Sequence, residues 1–239
     1  GNATGSDLDH GDQKGLKYSF GNDESGKPVT SITNDYGTLT IDPASGKYTF
    51  TVNNQSGVVQ KLDEGDTVTL DYRVRVTDEH GAWKDVPVHV NVHGANDHPY
   101  LQAGSQVDVK ESGVIDGGNK PTAGKETSQI GKNDIRDWEG DDLTYSINAR
   151  AADDRNPGKW KGETGTDGDG WQTYKTDMGT FHLDPATGNY YFVLDNDAQV
   201  VQALKSGETV QRYISFTVSD GKGGVLETWA TVNIKGTND

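Results

Sequence analysis

The sequence predicts an all-β chain of two tandem antiparallel β-sandwich domains, and three observations predict it. The stretch from Gly37 to Asp97 returns as Gly179 to Asp239 at a constant offset of 142 (179 − 37 and 239 − 97), without a gap and with about 24 aligned positions identical. One structural unit is therefore used twice. Apolar residues alternate with polar ones over short runs, as in half-buried strands. Between the runs stand turn signals: Asp42-Pro43-Ala44-Ser45-Gly46 and Asp184-Pro185-Ala186-Thr187-Gly188 supply Asp to open a turn, Pro preset for the next φ and Gly for a positive one.

In chain order, Leu16, Tyr18 and Phe20 give the first alternating run, followed by Leu39 with Ile41, by Tyr48, Phe50 and Val52, and by Tyr72, Val74 and Val76. Each run has one face to bury. Val86, Val88, Val90 and Val92 continue the pattern with Pro87, His89, Asn91 and His93 on the other face, and Pro87 marks an edge strand. Val58, Val59 and Leu62, repeated as Val200, Val201 and Leu204, have the spacing of one or two helical turns capping the sandwich.

The second unit opens with Val107, Val109 and Glu111 as a first strand and continues with Leu143, Tyr145 and Ile147 as a second. The first unit begins at the equivalent of the second strand, so its own first strand is expected upstream of residue 1. The domains are accordingly 1–96 and 97–239, the latter with long loop insertions at about 112–127 and 149–178. The longer insertion carries Trp160, Trp171 and Tyr174; long loops of this kind are frequently functional.

Lys and Arg number 22 against 37 Asp and Glu, a formal charge of −15. That balance argues against nucleic acid and anionic membranes as partners and favours solubility or cation binding. Cysteine is absent, which excludes a disulfide framework and thiol chemistry. No apolar run has the length of a membrane span. A chain opening GNATGS reads as a fragment of something longer, with targeting signals out of view.

No nucleophile elbow, phosphate loop or zinc signature is present. Asp137 and Glu139 form a carboxylate pair, but no apolar cleft is signalled around them, and the six histidines are scattered. Catalysis is not expected.

The carboxylates themselves carry the functional signal. A working assignment of the strands puts Asp137-Trp138-Glu139-Gly140-Asp141 and Ser219-Asp220-Gly221 at the end of the second unit where the linker Gly94 to Pro99 arrives, although the first of these precedes the second strand and strains simple strand parity. The turn Asp63-Glu64-Gly65-Asp66 of the first unit is expected at the same junction. Gathered acids repel unless a cation neutralises them, and hard oxygen ligands in this number suit Ca²⁺. Asp141 and Asp66 are the members such a set could best lose. Asp7, Asp9, Asp12 and Asp78 would face a preceding domain and Glu208, Asn238 and Asp239 a following one. Asp42 and Asp184 are turn formers.

The segments DLDHGD (7–12) and DWEGDDLTYS (137–146), the hairpins IDPASGKYTF (41–50) and LDPATGNYYF (183–192), the loop SDGKGG (219–224) and the terminal GTND together resemble the cadherin-like, VCBS-type repeats of large bacterial RTX adhesins. The resemblance covers nearly the whole chain apart from the insertions. It implies an Ig-like, cadherin-like sandwich joined to its neighbours by short calcium-binding linkers. It further implies an acidic ligand set: Asp63 and Glu64, then Asn96 and Asp97, then Glu111, Asp137, Glu139 and Asp220. Two departures stand out: the first unit lacks the Glu equivalent to Glu111, and Glu139 replaces the more usual Asp.

The function expected is that of a calcium-stiffened structural extender in a secreted adhesin at the bacterial cell surface, serving adhesion and biofilm formation. Its partners would be neighbouring repeats of the same polypeptide, with the segment itself a monomer. The alternative is a glycan- or peptide-binding module in which Trp160, Trp171 and Tyr174 grip a surface ligand with Asp167 and Asp169 beside them.

Overall fold

The structure is a computed structural model describing residues 1–5, 15–112, 125–152 and 162–237. The chain divides into two compact units, Gly1–Asn96 and Asp97–Asp239. Both are built almost wholly of strands, and each is a β-sandwich. No helix among the described residues is long and apolar enough to cross a membrane.

The first unit contains β1 (Lys17–Ser19), β2 (Ser31–Asn34), β3 (Gly37–Ile41), β4 (Tyr48–Val52), the single turn α1 (Gly57–Gln60), β5 (Thr67–Thr77) and β6 (Trp83–His93). One sheet runs β1-β5-β6 and the other β2-β3-β4. The alternation read from the sequence fixes which side is buried: Leu39, Ile41, Val74, Val88 and Val92 are buried. The turn between β3 and β4 closes on Asp42, whose Oδ1 accepts the N–H of Ala44 (2.9 Å) and Ser45 (2.8 Å). Those donors hold the Asp42 carboxyl below the ordinary carboxylate value, so Asp42 is spent on the turn.

The second unit contains β7 (Tyr100–Ala103), β8 (Gln106–Lys110), β9 (Lys125–Thr127), β10 (Gly131–Lys132), β11 (Asp134–Arg136), β12 (Thr144–Ala152), β13 (Glu163–Thr166), β14 (Gln172–Lys175), β15 (Gly179–Leu183), β16 (Asn189–Asp195), α2 (Gln199–Gln202), β17 (Thr209–Ser219) and β18 (Val225–Lys235). One sheet is β12-β17-β18-β8; the other is β10-β16-β15-β14-β13 with β9 also on β16. Phe181, Phe192, Leu194 and Tyr190 from one sheet meet Ile214, Phe216, Val232 and Ile234 from the other in a single core. Val201 of α2 is fully buried and closes one end.

Three details depart from the sequence reading. The first strand of the second unit, β8, joins β18 in parallel, with Val107 opposite Val232 and Val109 opposite Ile234, so the sandwich is not antiparallel throughout. The 112–127 insertion ends in a strand, β9, on β16. The 149–178 insertion is shorter than its sequence limits: β14 pairs with β15 as β2 pairs with β3, and Tyr174 faces Phe181 as Ile32 faces Leu39. Tyr174 is thus a framework residue at the common offset (174 − 32 = 142) and is buried.

The two cores are not equally sealed. Phe192 is fully buried, while its counterpart Phe50 is only partly so. Phe192→Ala is therefore expected to cost the second unit about 3–5 kcal/mol, in the range for buried aromatics, and Phe50→Ala to cost the first unit clearly less. Urea unfolding of the two variants checks this; equal losses would contradict the difference in burial.

Candidate metal centre

The centre lies at one end of the second unit and is assembled by a short ribbon. β7 follows directly on Asp97, His98 and Pro99, and β11 pairs with β7 so that Arg136 stands opposite Tyr100. The loop 137–141 leaves β11 at that point and is delivered beside the residues that lead into β7. Trp138 fixes it there by stacking on Tyr100, with ring centroids 5.3 Å apart and planes 25° apart. From the other sheet comes the β17–β18 turn, and His98 Nδ1 accepts the Val225 N–H at 3.0 Å.

Within the loop, Asp137 Oδ1 accepts the backbone N–H groups of Glu139 (3.1 Å), Gly140 (3.0 Å) and Asp141 (3.1 Å). This turn needs Gly140 at φ +87°, a conformation that glycine adopts without a steric penalty. Glu139 Oε1 accepts the Asp97 N–H at 3.1 Å. Asp141 Oδ1 meets Lys222 Nζ at 2.7 Å. One oxygen of each carboxylate is thereby engaged.

The second oxygens are not. Asp137 Oδ2, Glu139 Oε2 and Asp141 Oδ2 are buried without a hydrogen-bond partner. Ligand atoms from these three residues all lie within 4.8 Å of one another. Buried, unpaired carboxylate oxygens are costly, and crowding three of them adds repulsion. The effect reaches the protonation equilibrium: burial raises the Glu139 carboxyl above its ordinary value of 4.5, and the neighbouring Asp137 carboxylate adds to the rise against the N–H groups that oppose it.

Asp220 borders the same end. Its Oδ1 accepts the N–H of Lys222 (2.7 Å) and Gly224 (3.0 Å). A side chain at position 224 would not fit: a Cβ there would sit 1.9 Å from Asp220 Oδ2 and 2.9 Å from the Asp97 carbonyl oxygen. Gly224 thus lets an Asp220 oxygen and a main-chain oxygen converge.

The donor set is all oxygen, and the three unpartnered atoms are what a hard divalent cation would satisfy. The residues present fit Ca²⁺. Asp137, Glu139 and Asp141 would hold it directly, with Asp97 and Asp220 alongside, and the ion would supply charge neutralisation only.

The remaining expected ligands are placed elsewhere. Glu111 is buried at the far end of β18, where its Oε1 accepts from Gln202 Nε2 (3.1 Å) and its Oε2 from the Thr237 N–H (3.0 Å). The 11 residues of β18 separate it from the Asp220 turn by about 33 Å at strand rise, so Glu111 lies away from this cluster. In the first unit, the turn Asp63–Asp66 folds on itself through Asp63 N–H to Asp66 Oδ2 (3.1 Å) and Glu64 N–H to Asp63 Oδ1 (2.7 Å), and Asp66 O accepts from Gly94 N–H (3.0 Å). Asn96 closes that unit. Asp78, the counterpart of Asp220, accepts from His80 and Ala82 N–H groups. Asp7, Asp9, Asp12, Asn238 and Asp239 lie outside the described residues.

Two members were not legible as such. Asp141, ranked expendable from sequence, is one of the three central carboxylates. Lys222 was not anticipated; a single basic residue inside the acidic SDGKGG loop was the available signal.

The aromatic set of the insertion is engaged with its own unit. Trp171 lies against Tyr191 (5.3 Å, 59°), and His182 stacks on the same ring (4.4 Å, 7°). Asp167 binds His182 Nδ1 (2.8 Å) and the Trp171 N–H (2.9 Å), so these groups fasten the β13–β14 hairpin to the sheet. Asp169 donates its N–H to Asp167 Oδ1 at 3.0 Å and is part of the same turn. Trp160 lies outside the described residues.

No protein-family model matches the chain, and no curated protein matches it. Among solved structures it is similar to human CDH23 EC21-23, at 13% identity over 98% of this chain and 66% of that one, with a TM-score of 0.44. It is similar also to mouse Cadherin-23 EC22-24, at 13% identity over 94% and 53% with a TM-score of 0.40. The human Desmocollin-1 ectodomain gives 14% identity over 98% and 37% with a TM-score of 0.36. The chain spans less than two thirds of each of these structures, and likeness at this level assigns no role to individual carboxylates.

The raised Glu139 carboxyl sets a pH dependence. A carboxyl whose folded pKa exceeds its unfolded value contributes stability that is fully present below the unfolded value and is lost as pH rises through the folded one. In chelator, the unfolding free energy of the wild type relative to Glu139→Gln is therefore expected to fall as pH rises from about 4.5 towards 7. Denaturant titrations across that window measure it, and a flat difference would contradict the assignment.

Proposed function

We propose that the second unit binds Ca²⁺ at Asp137, Glu139 and Asp141, and that the chain is a calcium-stiffened extender segment of an extracellular adhesin. The observation that carries the reading is the trio of buried carboxylate oxygens without donors, Asp137 Oδ2, Glu139 Oε2 and Asp141 Oδ2. Water would have satisfied them had they been exposed; buried, they call for a cation.

The position of the cluster supports a mechanical role. Glu139 already holds the Asp97 N–H, and Asp97 is the first residue of the second unit. A cation on Glu139 would immobilise the chain at the Asn96-Asp97 step, where a free linker would sample many orientations. The resemblance of the repeat motifs to bacterial RTX adhesins extends the proposal to a secreted protein of the bacterial cell surface acting in adhesion and biofilm formation, with neighbouring repeats of the same polypeptide as its partners. A glycan- or peptide-binding role for the 149–178 region has no comparable support, because Tyr174 is core and Trp171 packs on Tyr191.

Lys222 tunes the site. Its ammonium offsets one of three carboxylates when no ion is bound and opposes a divalent cation by charge. The affinity expected is that of an extracellular module, a dissociation constant of about 0.1–1 mM.

Ten millimolar Ca²⁺ is then expected to stabilise the second unit by about 1.4–2.7 kcal/mol over chelator, and Asp137→Asn combined with Asp141→Asn to abolish the difference. Thermal unfolding with small-angle scattering reads both stability and particle length; no response of either to Ca²⁺ would sink the reading. Lys222→Met separates charge from packing: it is expected to tighten Ca²⁺ binding several-fold by calorimetry while lowering the melting temperature in chelator. A loss of affinity would contradict the role given to Lys222.

A further inference from the structure

A cleft of about 270 Å³ in the second unit is lined by Leu101, Gly104, Ser105, Gln106, Trp229 and Thr231. It opens on the outer face of the sheet β12-β17-β18-β8. Thr228 and Ala230 are buried, so alternation along β18 turns Trp229 and Thr231 outward. The register sets Thr231 between Gln106 of β8 and Tyr213 of β17 and sets Trp229 opposite Ser215. Trp229 stands five residues along the chain from Gly224 (229 − 224), about 17 Å at strand rise, so the cleft is separate from the Asp220 turn.

One buried amide holds the walls together. Asn133, 1% exposed, accepts the Ser105 N–H on Oδ1 (2.8 Å) and donates Nδ2 to the Trp229 carbonyl oxygen (2.9 Å). The Tyr190 hydroxyl donates to the same Oδ1 at 3.3 Å. The turn between β7 and β8 is thereby clamped to β18, and the cleft is preformed, as ligand sites usually are. Its key residues are not demanded by the shared plan of the two units: at the common offset, Trp229 and Thr231 replace Pro87 and His89.

The lining selects the ligand. The chain carries 22 basic and 37 acidic residues, yet none lines the cleft; it offers an indole, hydroxyls and an amide. On the same face, Asp108 is paired with Lys235 Nζ (2.9 Å) and Glu227 accepts from Asn148 Nδ2 (3.4 Å). Those two carboxylates and the net charge of −15 repel an anion. A purely apolar ligand would leave the Gln106 amide and the Thr231 hydroxyl covered without partners. A pyranose ring meets both demands, with a C–H face for the indole and hydroxyls that donate and accept. The volume lies just under the range of about 300–1,000 Å³ for larger ligands, which suits one ring. Beside it a polar belt continues across the sheet, from the Tyr213 hydroxyl to Gln211 Oε1, from Gln211 Nε2 to Asn233 Oδ1 and from Asn233 Nδ2 to Asp108 Oδ1.

We propose that this cleft binds an uncharged pyranose unit of an oligosaccharide, with Trp229 as the stacking platform, Gln106 and Thr231 as hydrogen-bonding partners and the polar belt under the neighbouring sugar. The site belongs to the second unit and does not depend on the metal reading.

The test uses the whole chain, with neutral trisaccharides of glucose, galactose and mannose as probes and tri-galacturonate, tetramethylammonium and N-acetyltyrosinamide as controls. Amide chemical shifts are expected to move saturably with at least one neutral trisaccharide, at residues 101–106 and 229–231, equally in Ca²⁺ and in chelator. A Cβ at Gly104 meets nothing within 4 Å, and its φ is outside the left-handed region, so Gly104→Phe can fill the cleft without straining the backbone. That variant is expected to abolish sugar binding with the melting temperature unchanged, and Thr231→Val to weaken it at least fivefold. Failure of all three neutral sugars to bind, tighter binding of any control, shifts confined to other residues, or binding that survives Gly104→Phe would overturn the proposal.

Discussion

Three carboxylates held close together in a partly buried loop are the constraint on which the functional end of the second unit depends. Charges of one sign at this spacing are tolerated only if something offsets them. The protein offers partial remedies: the N–H groups of Glu139, Gly140 and Asp141 on Asp137, the Asp97 N–H on Glu139, and the Lys222 ammonium on Asp141. Each engages one oxygen of a pair. What is left over is a set of inward oxygens with no protein donor, and that remainder defines the proposed ligand as a hard cation.

The rest of the fold can be understood as the means of bringing those groups together. The β7–β11 ribbon and the Tyr100–Trp138 stack deliver the acidic loop to the residues just after Asn96. The β17–β18 turn delivers Asp220 and Lys222, and the missing side chain at Gly224 makes room for Asp220 Oδ2 beside the Asp97 carbonyl oxygen. Behind them the fully buried aromatic core of the second unit gives the loops a rigid base. The first unit is built on the same plan with smaller sheets: among its described residues it has no counterpart of β8, β9, β10 or β13, and its core is less sealed.

Much of this was legible in the sequence because the chain contains its own comparison. Alternation and the repeat located β1, β3 to β6, β8, β12 and β15 to β18, the two Asp-Pro-Ala turns and the short helical caps. What escaped has physical reasons. The resemblance counts Glu111 with the ligands, and the parallel pairing of β8 on β18 places it at the other end of the sheet from the Asp137–Asp141 loop. Tyr174 looked like a loop aromatic because Gly- and Asp-rich sequence surrounds it; only its alignment with Ile32 reveals a core position. Asp141 could not be ranked above its neighbours because turn preference explains any single loop Asp equally well. Lys222 was hidden because a lysine in an acidic loop carries no direction without coordinates.

Terbium luminescence tests the central claim most directly, since Trp138 lies in sequence between two of the proposed ligands and can sensitise an ion held there. The account predicts Tb³⁺ emission on tryptophan excitation, displaced by millimolar Ca²⁺ and lost both in Trp138→Phe and in the Asp137→Asn, Asp141→Asn double variant. Emission that persists in both variants, or its absence from the wild type, would contradict the assignment of a cation to Asp137, Glu139 and Asp141.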